Sequence, residues 1–438
     1  ARWLHNSADT DFLVTHYDRG LGLLREADTV AADALPDSID PRFREDILTD
    51  AIAQLASGLG KATQQLLASG SDPAIPARIS EWEHAFYDHR DRAEPFEVPN
   101  ATMILTADTI QAYLRRVVPE AGDVVVEKAR KLTGGFGRAT VMIQLDRPLF
   151  GTRELVLRAE IPVTILTLQG FDIATEFEII KLAQRNGVVA PTPLLLETGD
   201  NETGVRFILV NRLQGSNVGS LYELSSSISD TMLVNLVRGL VQIHEIDPRA
   251  HPDIVQASHL KDWLKDDTMT ASILRWIDCW ENFWRSLAIP SPTLERLFHW
   301  LRAHVPQSDA APVLLHSDYG LGNLLFENDE LTAVLDWEAS HMGHPAEEVG
   351  WLAMNLRGKV EQQRVFDLYE EFSGRPVDLD AIRFFDAFTE VKLIVSGMSA
   401  TRKFAENPVA DPIYCRLINL TVEPSVRRAA ELLPELER

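Results

Sequence analysis

Cysteine is nearly absent from this chain: Cys279 and Cys415 are the only two in 438 residues. Two thiols cannot build the dense cross-link framework of a small secreted domain, so reduced, cytosolic thiols are the default expectation. Long apolar runs are also missing. No stretch approaches the roughly 18 apolar residues that would span a bilayer, so no membrane partner is expected. The first residues, Ala1-Arg-Trp-Leu-His-Asn-Ser7, carry no apolar signal-peptide core, and a cytoplasmic location is expected; the missing initial Met leaves trimming open. Basic charge is scarce too. Forty-two Lys+Arg face 65 Asp+Glu, a net charge of −23, which argues against nucleic-acid binding because that needs a basic footprint. The same acidity is compatible with a cationic substrate drawn to an acidic cleft. There are no internal repeats, low-complexity segments or long blocks of one charge. What remains is an ordinary globular composition, 45% hydrophobic and 24% charged, at a length that fits two or three domains.

The first hundred residues read as helical. Phe12, Leu13, Tyr17, Leu21 and Leu24 mark one helix. Asp40-Pro41 supplies a cap and a first-turn proline for a second, carried by Ile47, Ile52, Leu55, Leu59, Ala62 and Leu66 and closed at Gly70. Asp72-Pro73 is another start signal, with Pro76 expected to delay any helix there, and 91–100, with two prolines, reads as a linker. Residues 1–100 are therefore either a helical accessory domain, which packs on the rest or forms a homodimer, or an extension covering core surface.

Thr106 then caps an amphipathic helix with Ile110, Tyr113, Leu114 and Val117 on one face. Strands follow at 124–132, 140–145 and 154–160, a helix at 172–186, a further strand after the break at Pro191-Thr-Pro193, and another at 204–213. From Asp230 onward helices dominate. Strand-rich first and helix-rich second divides the chain into 101–213 and 214–438, an α+β, two-lobed order.

The densest chemistry lies in His316-Ser-Asp-Tyr-Gly-Leu-Gly-Asn323, followed by Val334-Leu-Asp-Trp-Glu338. Asp318 precedes Asn323 by five residues, and Asp336 follows thirteen later. The runs 313–315, 324–326 and 333–335 read as short buried strands, with Glu327-Asn-Asp-Glu330 as a hairpin turn. Any one of these polar residues alone would be an ordinary turn residue. Together they supply what phosphoryl transfer needs. Asp318 can accept a hydroxyl proton, while the Asn323 oxygen and the Asp336 carboxylate suit Mg²⁺ on nucleotide phosphates.

Upstream, Leu132-Thr-Gly-Gly-Phe-Gly-Arg-Ala-Thr140 joins two strand candidates. Gly134, Gly135 and Gly137 allow a close backbone approach to phosphate, although glycine pairs in hairpins also make plain turns. On the strand 154–160, Leu155, Leu157 and Ala159 face one way and Val156 and Arg158 the other. Arg158 then either enters a nucleotide cleft, with Val156 beside an adenine, or pairs with Glu154 or Glu160 at the surface.

These residues resemble the core of the aminoglycoside phosphotransferase/choline-kinase-like family, which shares the protein-kinase-like fold. The resemblance is nearest to the kinase-like domains of acyl-CoA dehydrogenase family members 10 and 11, and it covers roughly residues 124–400. It implies a small-molecule kinase moving the γ-phosphate of ATP or GTP to a substrate hydroxyl. Asp318 would be the base, His316 a brace opening the catalytic loop, and Asn323 and Asp336 the Mg²⁺ ligands. It also implies a partnership of Arg158 with Glu176, with Glu178 as a rival about 200° away on the same helix. The strand 205–213 resembles the hinge that reads a purine through its backbone.

Three departures stand out. Ser317 replaces the family's glycine, Arg158 its usual lysine, and Glu348 the aspartate that orders the catalytic loop. They keep open a catalytically weak or inactive nucleotide-binding module. A scaffold acting through the helical N-terminal part is a further alternative. His244 reads as packing, and His341 and His344 as loop caps more than a metal pair. The stripe Trp276, Trp280, Phe283, Trp284 is core or an apolar substrate wall. Carboxylates for a cationic substrate exist at Asp266, Asp267, Asp278, Glu281, Glu370 and Glu371, but spacing does not gather them.

Overall fold

Thr106 does what its position predicts. Its side chain accepts from the Thr109 amide and its amide donates to the Thr109 hydroxyl, so the helix Ala107–Val117 begins with a reciprocal cap. That helix lays Ile110, Tyr113 and Leu114 against a five-stranded antiparallel sheet in the order β1-β2-β3-β5-β4. The strands are β1 Val126–Lys131, β2 Arg138–Leu149, β3 Thr152–Glu160, β4 Pro193–Glu197 and β5 Phe207–Asn211. β3 alternates as read: Leu155, Leu157 and Ala159 are buried with Val141, Ile143, Phe207 and Leu209, while Val156 and Arg158 lie on the opposite face. Each fully buried side chain of this size contributes about 1.5–3 kcal/mol, which fixes the strand's face against a one-residue slip.

The computed structural model describes residues 10–28, 31–32, 35, 45–69, 74–89, 105–132, 137–160, 166, 168, 171–199, 201, 203–219, 227–406 and 413–436. The chain divides into two units, one of Thr102–Trp276 with Pro306–Asp386, the other of Ala1–Ala101 with Ile277–Val305 and Ala387–Arg438.

In the first unit the sheet is followed by the helix Ile173–Arg185, capped by Asp172, and then mainly by helices, of which Asp230–His244 and Pro345–Asn355 matter most for the site. Two small antiparallel sheets interrupt them. β6 Val313–Leu315 pairs with β9 His341–Gly343, and β7 Leu324–Glu327 pairs with β8 Glu330–Val334. Asn328 and Asp329, at φ 52° and 67°, make the β7–β8 turn, the left-handed pair that suits a tight hairpin.

In the second unit the helices Thr10–Ala27, Glu45–Ala68 and Ala74–His89 enclose Tyr17, Leu21, Leu24, Leu55, Leu59, Ile79 and Trp82. A side chain at Gly20 would meet Trp82 at 2.6 Å, so glycine is required there. Pro76 does not delay the third helix as expected; it lies in its first turn, where the amide it lacks has no intrahelical partner. Glu83 reaches the helix Pro292–Ala303, accepting from the Ser291 hydroxyl at 2.6 Å and the Thr293 amide at 2.9 Å. Burial raises its pKa. Asp40-Pro41, Asp72-Pro73, 91–100, Gly134 and Gly135 lie outside the described residues.

Candidate active site

The loop leaving β6 is held from below by one carboxylate. Glu348, fully buried on the helix Pro345–Asn355, accepts from the His316 amide at 3.1 Å and the Ser317 amide at 2.5 Å. It also faces His244 Nε2 at 3.0 Å, whose Nδ1 lies 2.8 Å from the Tyr369 hydroxyl. The longer glutamate therefore does reach the loop's amides. His316 is fully buried. Its Nε2 donates to the Leu335 carbonyl at 2.9 Å, and its Nδ1 accepts from the Asp318 amide at 3.3 Å. Burial lowers its pKa. Ser317 has φ 70°, the left-handed region. The departure from glycine is thus a matter of backbone conformation and not of side-chain size.

Within the loop, Asn323 Nδ2 donates to the Asp318 carboxylate at 2.8 Å and to its carbonyl at 3.0 Å. The Leu335 amide donates to the Asn323 carbonyl at 2.8 Å, which brings the next residue, Asp336, beside Asn323. Asp336 also sits in the left-handed region, at φ 68°. Non-glycine residues held there cost about 1–3 kcal/mol each and collect at functional sites.

Arg158 faces this group from β3. Its Nε donates to Glu176 Oε1 at 2.7 Å and its Nη2 to Asp336 Oδ1 at 2.6 Å. The surface alternatives are otherwise engaged, Glu154 with Arg212 and Glu160 with Arg206, and the rival Glu178 binds Lys181. Burial would lower the Arg158 pKa, but the carboxylates of Asp336, Glu176 and Glu338 outweigh it and raise it. Val156 lies on the same face of β3, partly buried.

Two members of this cluster were not foreseen. Arg138, just after the glycine-rich segment, puts Nε 3.3 Å from Glu176 Oε2 and 3.3 Å from Glu338 Oε2. Its Nη2 donates to the Phe171 carbonyl at 2.8 Å. Glu338 lies against Gly137, so close that a methyl group there would collide with its carboxylate. Burial, then the Asp336 charge, pushes Glu338 up to about 8. The sequence places Arg138 directly after Gly-Gly-Phe-Gly, but nothing local points to its carboxylate partners.

The other candidates resolve simply. His344 caps the helix Pro345–Asn355 by accepting from the Ala346 amide, and His341 stacks on Trp276 at 4.1 Å. Trp276, Trp280, Phe283 and Trp284 are buried as core. Asp266 pairs with Arg275, Asp278 and Glu281 with Arg302, and Glu370 accepts from the Val377 amide. Among the described residues no helix is long and apolar enough to cross a membrane.

A base candidate, an oriented amide, an acid beside it and an arginine–glutamate pair thus converge between β3 and the loop after β6. The family model described as the phosphotransferase enzyme family matches residues 152–385, more than half of the chain. The chain belongs to that family. It is 30% identical over 264 residues to acyl-CoA dehydrogenase family member 10 of Mus musculus, covering 58% of this chain and 23% of that protein. It is 26% identical over 253 residues to family member 11 of Rattus norvegicus, covering 56% of this chain and 30% of that protein. The chain therefore spans less than a third of the length of these relatives. A structure from Ralstonia eutropha, of a candidate aminoglycoside phosphotransferase, superposes with TM-score 0.55 at 20% identity, covering 75% of this chain and 98% of that one. That likeness carries the fold, a two-lobed protein-kinase-like one preceded here by helices.

Proposed function

We infer that this phosphotransferase-family chain is a small-molecule kinase, moving the γ-phosphate of ATP or GTP to a substrate hydroxyl. The observation that carries the reading is the Asp318–Asn323 pair beside Asp336. Asn323 gives its amide nitrogen to Asp318 and keeps an oxygen, and Asp336 is 32% exposed in side chain; oxygen donors of this kind suit Mg²⁺, which supports the reading. Asn323 and Asp336 would hold the ion, which when bound neutralises charge on the nucleotide phosphates. Asp318, aimed by Asn323, takes the proton of the attacking hydroxyl. Arg158, set by Glu176, forks onto phosphate oxygens, as guanidinium geometry allows. Catalysis on this reading is positioning and charge stabilisation.

A catalytically weak nucleotide-binding module is the second reading, because Arg158 holds Asp336 directly at 2.6 Å. Thermal shift with Mg-ATP and Mg-GTP tests the common part. At 100-fold excess over Kd the protein gains about 2.7 kcal/mol, and Asp336→Ala removes the Mg²⁺-dependent part. An unchanged shift in that variant would remove Asp336 from the metal role. Nucleotide consumption across a panel of hydroxylated small molecules then separates kinase from binder.

A further inference from the structure

Five charged side chains close on one another where nucleotide phosphates would arrive. Arg138 and Arg158 share Glu176, Arg158 holds Asp336, and Arg138 holds Glu338. Three carboxyl groups face two guanidiniums, so any two of them already balance the arginines. Exposure is graded across it. The side chains of Glu176 and Arg138 are 0% and 4% exposed, those of Glu338 and Asp336 17% and 32%. A phosphate entering from solvent therefore meets Glu338 before it meets Arg138.

The two Arg138 links are the longest in the group, and the one to Glu338 is the more exposed of them. Each spans 3.3 Å, against 2.6 and 2.7 Å for the Arg158 links. Glu338 fills the space that Gly137 leaves by having no side chain, and among the described residues Arg138 Nη1 keeps only a 3.4 Å contact, to the Gly137 carbonyl. A glycine, a neighbouring guanidinium with unused donor capacity and a carboxylate between them resemble an anion site holding an internal anion.

We propose that Arg138 is a second phosphate-binding residue and that Glu338 is the resident carboxylate that nucleotide phosphate displaces from it. The proposal rests on the kinase reading for the nucleotide itself but assigns roles that reading does not need. Glu338 blocks and Arg138 receives, so removing one should strengthen phosphate binding and removing the other should weaken it. A purely structural pair would lose stability in both cases and distinguish no ligands.

Titration of adenosine and ATP, each without and with Mg²⁺, into wild type, Glu338→Gln, Arg138→Ala and Arg138→Lys tests this. Expected for Glu338→Gln is a Kd for Mg²⁺-free ATP about five- to tenfold lower, with adenosine unchanged. Expected for Arg138→Ala is ATP at least tenfold weaker with adenosine unchanged, and partial recovery in Arg138→Lys, a size typical of losing a charge-assisted bond. Equal changes for adenosine and ATP, or ATP no tighter in Glu338→Gln, overturn the proposal while leaving nucleotide binding intact. Binding of ATP to Glu338→Gln but not to wild type supports it in its strongest form. No binding of either ligand to any of the four proteins removes the nucleotide reading and the proposal together.

Discussion

Glu348 and Glu176 are both buried glutamates with 0% side-chain exposure, and they hold opposite halves of the candidate site. Glu348 is satisfied by two backbone amides and a histidine. Glu176 is satisfied by two guanidiniums. Amides are tied to the chain and cannot leave without moving the loop. Guanidiniums sit on rotatable stems and can trade a carboxylate for a phosphate with little backbone motion. The loop carrying Asp318 is thus fixed by backbone contacts, whereas on the kinase reading the Arg158 side exchanges partners. The same residue type gives rigidity in one place and exchange in the other, according to what it holds.

The largest effect should come from the fixed half. Asp318→Asn keeps the side-chain shape but cannot take a proton, so phosphotransfer should fall about 10²–10⁴-fold, the usual worth of a general base, with Mg-nucleotide Kd unchanged. Rapid-quench and equilibrium binding measurements on one preparation check both halves of that statement. Full turnover would take the base role from Asp318.

Next, Glu348→Ala strands two buried amides and the ring of His244. Breaking a buried, hydrogen-bonded charge costs about 3–5 kcal/mol, so urea unfolding should lose that much. A loss below about 1 kcal/mol would mean that the loop is held by something else, and the comparison with Glu176 would lose one side.

On the exchangeable half, Arg158→Ala should weaken nucleotide binding by about 1.5–3 kcal/mol, or about 10- to 150-fold in Kd, with Arg158→Lys intermediate because the charge survives and the fork does not. Equal affinities in all three proteins would reduce Arg158 to a structural ion pair with Glu176 and Asp336.

How far this site was legible in the sequence differs between its halves for physical reasons. Period-two alternation put Arg158 on the cleft face because Leu155, Leu157 and Ala159 need the core, and helical periodicity separated Glu176 from Glu178. The Asp318–Asn323 spacing and the short strands around it were readable because a hairpin needs its turn residues. Arg138 was not, because its carboxylate partners lie 38 and 200 residues away and no local pattern links them. Pro76 was misread because a helix's first turn tolerates proline, whose missing amide has no intrahelical partner there. Doubt about Glu348 came from counting side-chain atoms, where the backbone that carries the residue also decides its reach.

The smallest effect concerns the two left-handed residues of the site, Ser317 at φ 70° and Asp336 at φ 68°. Asp336 has a side chain bound to Arg158 that can justify the strain. No hydrogen bond of the Ser317 hydroxyl offsets its own among the described residues. Left-handed backbone costs a non-glycine residue roughly 1–2 kcal/mol, whereas glycine costs about 0.5–1 kcal/mol of extra chain entropy on folding. Ser317→Gly should therefore stabilise the protein by about 0.5–1 kcal/mol, read as a higher urea midpoint at unchanged slope. Because Glu348 grips the amides and not the side chain, the variant should keep the loop's hydrogen bonds and its nucleotide affinity. A stability loss instead would show that the serine hydroxyl holds the loop, making the fixed half of the site depend on a side chain as well as on backbone.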